Sequence, residues 1–165
     1  MKKEESYIKI NIRMATVNDV EKLIKARFDY FDTENFEITS EQYTVIGSNL
    51  RQYFTKHLNN DFFAAIVEEN NQIVSLAFLT ISEKPANPFF ITGKTGTFFN
   101  VFTYPKFRKR GYATHTLITL IEEAKRQNLS FIELSASESG KSLYQKLGFQ
   151  DKKSTRFTDM KLSLL

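Results

Sequence analysis

The segment Asn100-Val-Phe-Thr-Tyr-Pro-Lys-Phe-Arg-Lys-Arg-Gly-Tyr-Ala-Thr114 joins a strand pattern to a helix pattern through basic residues and a glycine. Lys106 to Arg110 puts four positive charges in five residues. Backbone N–H groups in the first turn of a helix have no intrahelical acceptor and carry partial positive charge, which is the geometry that cradles phosphates. Gly111 lets a ligand come close to the backbone, and Arg108, Lys109 and Arg110 add charge. These residues read as a pyrophosphate-binding turn. They are not a dinucleotide fingerprint, because Gly-x-Gly-x-x-Gly is absent. Gly93-Lys94-Thr95 looks like the tail of a P-loop, but position 88, where its first glycine would stand, is proline. A solvated charge run and a nucleic-acid patch are the competing readings of 106–110. Five acidic residues between Asp29 and Glu41 and the lack of a recognition-helix pattern argue against nucleic acid.

The elements that must position this turn follow from periodicity. Tyr7 to Ile12 alternates as a strand. Asn18 with Glu21 resembles a capping box, and Val20, Leu23, Ile24, Phe28 and Phe31 recur at helical spacing. Ser40 caps a second helix, with Tyr43, Ile46, Leu50, Tyr53, Phe54 and Leu58 on one face. Phe62–Glu68 and Ile73–Ile81 are apolar runs joined by a turn, a hairpin pattern. Residues 84–93 form a loop with two prolines. Thr95 to Tyr104 is a strand stopped by Pro105, and Gly111 opens a helix striped by Ala113, Leu117, Leu120, Ile121 and Ala124. A short strand, Phe131–Leu134, is followed by a helix, Glu138–Leu147, ended by Gly148. Two closing strands follow, Phe149–Lys153 and Arg156–Leu164. The order β α α β β β α β α β β, with no linker or repeat, implies a mixed α/β sheet in one domain, 1–165.

The 165 residues include 16 Phe and no Cys, enough for one sizeable core and incompatible with disulfides, thiolate metal sites or a cysteine nucleophile. No run approaches the ~20 apolar residues that cross a bilayer, and Met1 to Ser6 opens no signal peptide. The expected location is the cytoplasm, with no membrane partner. The net charge of +4 suits an anionic, nucleotide-bearing ligand. No His or carboxylate cluster has metal spacing, so no metal is expected. For His57 and His115 the expectation is a surface or packing role.

The turn resembles the acetyl-CoA signature of the GNAT superfamily, Arg/Gln-x-x-Gly-x-Gly/Ala, which stands here as Arg108-Lys-Arg-Gly111-Tyr-Ala113. Leu143-Tyr144-Gln-Lys-Leu-Gly148-Phe149 is similar to the family's Leu-Tyr-x-x-Leu-Gly-Phe segment. The stretch Glu133 to Tyr144, with Ala136-Ser137-x-x-Gly140 ahead of the tyrosine, is similar to a bacterial branch of the family. The element order matches along nearly the whole chain. The resemblance implies the GNAT acyl-CoA N-acyltransferase fold and acetyl-CoA as co-substrate. The strand ending at Thr103 would part from its neighbour at a bulge. Backbone groups of Val101, Phe102 and Thr103 would pair with the pantetheine arm, and the Phe102 N–H would serve as oxyanion donor. Amides from Arg108 through Lys109, Arg110, Gly111, Tyr112 and Ala113 to Thr114 would hold the pyrophosphate, with Ser137 also on the cofactor. Many relatives are dimers, and the apolar end Leu162-Ser-Leu-Leu165 permits a homodimer.

With no Cys, direct attack of an amine on the thioester in a ternary complex is the simplest route. Tyr144 is the candidate acid for the leaving thiolate, since a phenol of pKa near ~10 is protonated at neutral pH; a core aromatic is the alternative. Histone-acetylating relatives carry a glutamate at about the position of Thr97. Without it, the candidate bases are Glu133, Glu138, Asn100 or a water chain. The aromatic and acidic stretch holding Phe28, Phe31 and Asp32 can attract and enclose a cationic amine, so the expected acceptor is a small-molecule or peptide amine, unless this stretch is an ordinary solvated loop. A catalytically weak acetyl-CoA- or CoA-binding regulatory module of the same fold is the alternative function.

Overall fold

The computed structural model describes residues 9–152 and 160–164. The chain divides into two compact units, Met1–Ser135 and Ala136–Leu165.

The first unit is a twisted five-stranded sheet in sequential order: β1 (Ile10–Met14), β2 (Phe62–Glu69), β3 (Gln72–Glu83), β4 (Lys94–Thr103) and β5 (Ile132–Glu133). The first four strands are antiparallel, and β5 joins β4 in parallel. β2 is buried along its whole length. Strands with one solvated face alternate; a strand covered on both faces reads as a continuous apolar run. Phe-Phe-Ala-Ala-Ile-Val is such a run, and helices cover both faces.

On one face lie α1 (Val20–Thr33) and α2 (Ser40–His57), with Phe54 of α2 packed on Phe62 and Phe78 of the sheet and Tyr30 of α1 against Phe102. The rings of Phe54, Phe62 and Phe78 meet edge-on or stacked at 5.1–5.7 Å. On the other lies α3 (Tyr112–Arg126), whose Tyr112 packs on Val67 and Val74.

Two caps differ from the sequence reading by a few residues. Thr16, not Asn18, opens the approach to α1. Asp19 Oδ2 accepts from the Thr16 N–H at 2.8 Å, around a single 3-10 turn (Val17–Asp19). Thr39, not Ser40, caps α2: its hydroxyl accepts from the Gln42 N–H while Gln42 Oε1 accepts from the Thr39 N–H. In both, the pair sits at the true i, i+3 spacing of a capping box. Of the expected first strand, Tyr7 and Ile8 lie outside the described residues.

The second unit holds α4 (Lys141–Lys146), shorter than the expected 138–147 because residues 138–140 form a turn. Residues 149–152 and 160–164 form no strand, so those parts of the two closing strands are not realised, and 153–159 lie outside the described residues. Met160, Leu162 and Leu164 are exposed.

Candidate active site

β4 runs between two neighbours that leave it at different places. On one edge it pairs with β3 along its length. Leu76 faces Phe102 and Phe78 faces Phe99, so Ala77 alone opposes Asn100 and Val101: a bulge. Asn100 takes φ +50, the left-handed conformation that asparagine tolerates better than most residues. On the other edge β5 pairs only with Gly96 and Thr97. From Phe99 to Thr103 that edge pairs with no further strand among the described residues.

Backbone direction along this edge follows from the flanking bonds. The Phe102 carbonyl accepts from Ser75 Oγ at 3.2 Å, and the Tyr104 N–H donates to the Val74 carbonyl at 3.1 Å. Both residues therefore turn their backbone groups toward β3, and alternation turns Thr103 to the open edge. The Phe102 backbone therefore lies on the ladder side, while the bulge amides and Thr103 stand nearer the open edge.

After Pro105 the chain makes one 3-10 turn (Pro105–Phe107), then Lys109 at φ +62 and Gly111 at φ +80 swing it into α3. A Cβ at Gly111 would meet nothing within 4 Å, so glycine is needed there for its backbone angle and not for space. The first intrahelical bond runs from the His115 N–H to the Gly111 carbonyl. The N–H groups of Tyr112, Ala113 and Thr114 precede it, and no side chain caps the helix. No acidic residue stands in the first turn to neutralise the dipole.

The three basic side chains of the turn have different duties. Arg110 reaches back to β2, 3.3 Å from Glu69, which also takes a bond from the buried Tyr112 hydroxyl at 3.5 Å. Arg108 Nε donates to the Thr103 carbonyl at 3.0 Å, capping the open edge. Lys109 has no hydrogen-bond or ion-pair partner among the described residues. Arg110 is thus a strut, whereas Lys109 is a positive charge with no such tie among the described residues.

α1 crosses the same bulge from the opposite face of the sheet. Arg27 Nη1 donates to Asn100 Oδ1 at 2.7 Å, and Tyr30 meets Phe102 edge-on at 6.0 Å. The Tyr104 hydroxyl donates to Asp29 Oδ2 at 2.5 Å; burial and then that carboxylate push the phenol well above its ordinary pKa. The oxygen of Asn100, expected as a candidate base, is committed to the Arg27 guanidinium.

Glu133 faces Thr97 in register on β5. Register partners share a face, and Thr97 shares its face with Phe99 two residues on, the ring that α1 and α2 cover. A carboxylate missing from β4 is therefore present one strand over. The three residues expected to border the acceptor are divided. Phe28 is buried and stacks on Tyr43 at 4.0 Å; with Asp32 it lines a cleft of ≈ 600 Å³ between α1 and α2. Phe31 meets the Phe28 ring edge-on at 5.9 Å but does not line the cleft, and it also contacts Arg27 and Phe36. His57 is fixed by Asp61 at 2.7 Å and stacks on Tyr53; His115 is exposed in the first turn of α3. Arg27 was missed by sequence reasoning. A lone arginine inside an amphipathic helix carries no local signal; only its position among apolar residues 23, 24, 28 and 31 hinted that it faces inward.

In the second unit, Gly140 follows a turn in which its N–H donates to Ser137 Oγ at 3.2 Å, and Tyr144 on α4 meets Phe149 edge-on at 6.0 Å. Among the described residues, no group of His, Asp and Glu could hold a metal ion, and no helix is long and apolar enough to cross a membrane.

The sequence profile of the acetyltransferase (GNAT) family matches residues 21–149. The solved structure of a predicted acetyltransferase with acetyl-CoA from Clostridium acetobutylicum is 33% identical, with 93% of this chain and 96% of that one covered at a TM-score of 0.80. A glucosamine-6-phosphate N-acetyltransferase from Arabidopsis thaliana is 20% identical over 93% of this chain and 99% of that one, with a TM-score of 0.65; at that identity the likeness is one of fold. A comparison with curated proteins finds no match.

Proposed function

We propose that this chain, which belongs to the acetyltransferase (GNAT) family, is an acetyl-CoA-dependent N-acetyltransferase acting on a primary amine in a ternary complex, with residues 1–165 as one domain in the cytoplasm. The observation that carries the reading is the bare, uncapped N-terminus of α3 set directly after a strand edge left open by β5. An extended pantetheine arm pairs with such an edge, and a diphosphate needs such amides. The acetyl-CoA in the Clostridium structure supports the same donor here.

The amine attacks the thioester carbonyl carbon. A C–N bond forms, the carbonyl electrons collect on oxygen, and the C–S bond then breaks with its electrons on sulfur. The bulge amides of Asn100 and Val101 replace Phe102 as the oxyanion donors we assign. Tyr144 gives its phenol proton to the leaving thiolate and recovers one from solvent. Glu133 is the base we favour for the amine proton, because it shares a sheet face with the α1 side of the site. Ser137 joins the turn amides in holding the cofactor, and Lys109 supplies the screening charge.

Calorimetry with acetyl-CoA, followed by CoA release over an amine panel, tests the reading. Binding with turnover supports it. Binding with no turnover on any amine would leave a CoA-binding module instead, and no binding would end the assignment.

A further inference from the structure

Arg27 is an arginine with no anionic partner among the described residues. Its guanidinium lies 4.6 Å from the ring centroid of Phe31, 5.5 Å from Phe99 and 5.9 Å from Tyr30. Its one hydrogen bond goes to the neutral Asn100 amide, and it forms no ion pair with any described carboxylate. Asn100 is 5% exposed, and its Nδ2 is buried with no hydrogen-bond partner among the described residues. Asn100 Oδ1 is thus the neutral acceptor this corner offers Arg27, and no described anion faces either group. A cation drawn out of water costs free energy unless it is paired; ring faces offset only part of that. Arg27 itself is half-buried. Nearby Lys25 is already matched by Asp29 at 2.5 Å.

We propose that Arg27, oriented by Asn100, is a carboxylate subsite for the acceptor, so that the acetylated molecule is an amine that also carries a carboxylate, as an amino acid does. The guanidinium fork fits a carboxylate bidentately. One uncompensated positive charge matches one carboxylate. A phosphate, carrying up to about two negative charges, would leave charge unbalanced among aromatic rings. The same rings accept an apolar side chain beside the carboxylate. The subsite lies where α1 meets the β4 bulge, and it rests on the acyltransferase reading above for the position of the thioester.

The test uses matched ligands on the wild-type chain. Phenylalanine, leucine and methionine are compared with their amides, with phenethylamine, and with 2-aminoethyl phosphate. CoA release is one readout, and calorimetric binding to CoA-saturated protein is the other. The free amino acids should be preferred by about tenfold or more over their amides, carried by KM, as a charge-assisted pair implies. Arg27→Gln should erase that preference while acetyl-CoA affinity stays put, and Arg27→Lys should keep part of it. Equal use of amides and acids, a preference for the phosphate, or no carboxylate binding to the CoA-loaded chain would overturn the subsite. Should Arg27→Gln fail to fold, the wild-type comparison decides alone. Failure of acetyl-CoA to bind would strike the enzyme reading itself, whereas intact acetyl-CoA binding without carboxylate preference strikes only the subsite.

Discussion

At the start of α3 the groups proposed to meet negative charge are backbone amides that no side chain caps, while at the β4 bulge they are a guanidinium and a carboxamide packed among rings. The first set is fixed by helix geometry and one glycine, with no long-range partner needed beyond the Arg110–Glu69 strut. The second is assembled from residues 27 and 100, which touch only because α1 crosses the sheet at that bulge. A grip made of backbone accepts any ligand with the right phosphate spacing, so it suits a donor shared by a whole family. A grip made of side chains can change with single substitutions, so it suits the acceptor, which differs among members.

The largest effect that could break this division lies outside both regions. Tyr144→Phe should lower kcat by about a hundredfold or more, the scale of one general acid, with acetyl-CoA affinity unchanged within about twofold by calorimetry. An unchanged kcat would remove the acid role. A loss of acetyl-CoA affinity would instead make Tyr144 part of the cofactor grip.

Gly111→Val sharpens the backbone side. A β-branched residue at φ +80 is strained by about 1–3 kcal/mol, and the strain falls on the turn that presents the amides. Acetyl-CoA affinity should drop about tenfold to hundredfold, while the carboxylate preference among acceptors is kept. A variant that binds acetyl-CoA as well as wild type would show that the turn's conformation is not what holds the diphosphate.

Asp19→Asn tests what steadies α1, and with it Arg27. Arg13 bridges Asp19 at 2.7 Å and Glu68 at 2.9 Å, tying β1, β2 and the entrance to α1 together. The Arg13 guanidinium lowers the Asp19 carboxyl from its ordinary 3.8 to about 2. A depressed folded-state pKa gives stability that is present above the unfolded value and fades as pH falls toward the folded one. The wild type should therefore lose about 2 kcal/mol between about pH 4 and pH 2. The variant should lack that amount at neutral pH and show a flatter acid limb in chemical denaturation. Equal acid limbs would mean the network leaves α1's stability untouched.

The two regions also differ in how much of them the sequence reveals. The turn was readable because its ingredients are contiguous: strand, proline, basic residues, glycine and helix stripe all lie within 100–124. The order of elements was readable for the same reason, through α4. Caps slipped by one or two residues because Thr16/Asp19 and Thr39/Gln42 compete locally with Asn18/Glu21 and Ser40, and only the folded backbone chooses. The direction of the Phe102 carbonyl depends on a bulge set by β3 pairing, and periodicity alone has no record of it. Arg27 and Asn100 stand 73 residues apart, so nothing local could have joined them. Within the acidic stretch at 29–41, Asp29 and Asp32 both line the α1–α2 cleft, but Asp29 is already bonded to Lys25 and Tyr104, a commitment that spacing alone does not reveal.

The smallest effect separates residues that look alike. Lys109 and Arg110 are neighbours with the same charge, yet only Arg110 is tied to the buried Glu69. Lys109→Ala should weaken acetyl-CoA binding about three- to fivefold at low salt, less at high salt because an exposed charge is screened, and leave the melting temperature alone. Arg110→Ala should show the reverse weighting. It strands the Glu69 carboxylate, 8% exposed and left with Tyr112, so it should cost about 1–2 kcal/mol of stability with a salt-insensitive change in affinity. Melting curves and titrations at two salt concentrations read both. If the two variants behaved alike, the turn would be a simple patch of positive charge, and the distinction between a strut and a cation without that tie, on which the backbone reading of this region depends, would have no physical content.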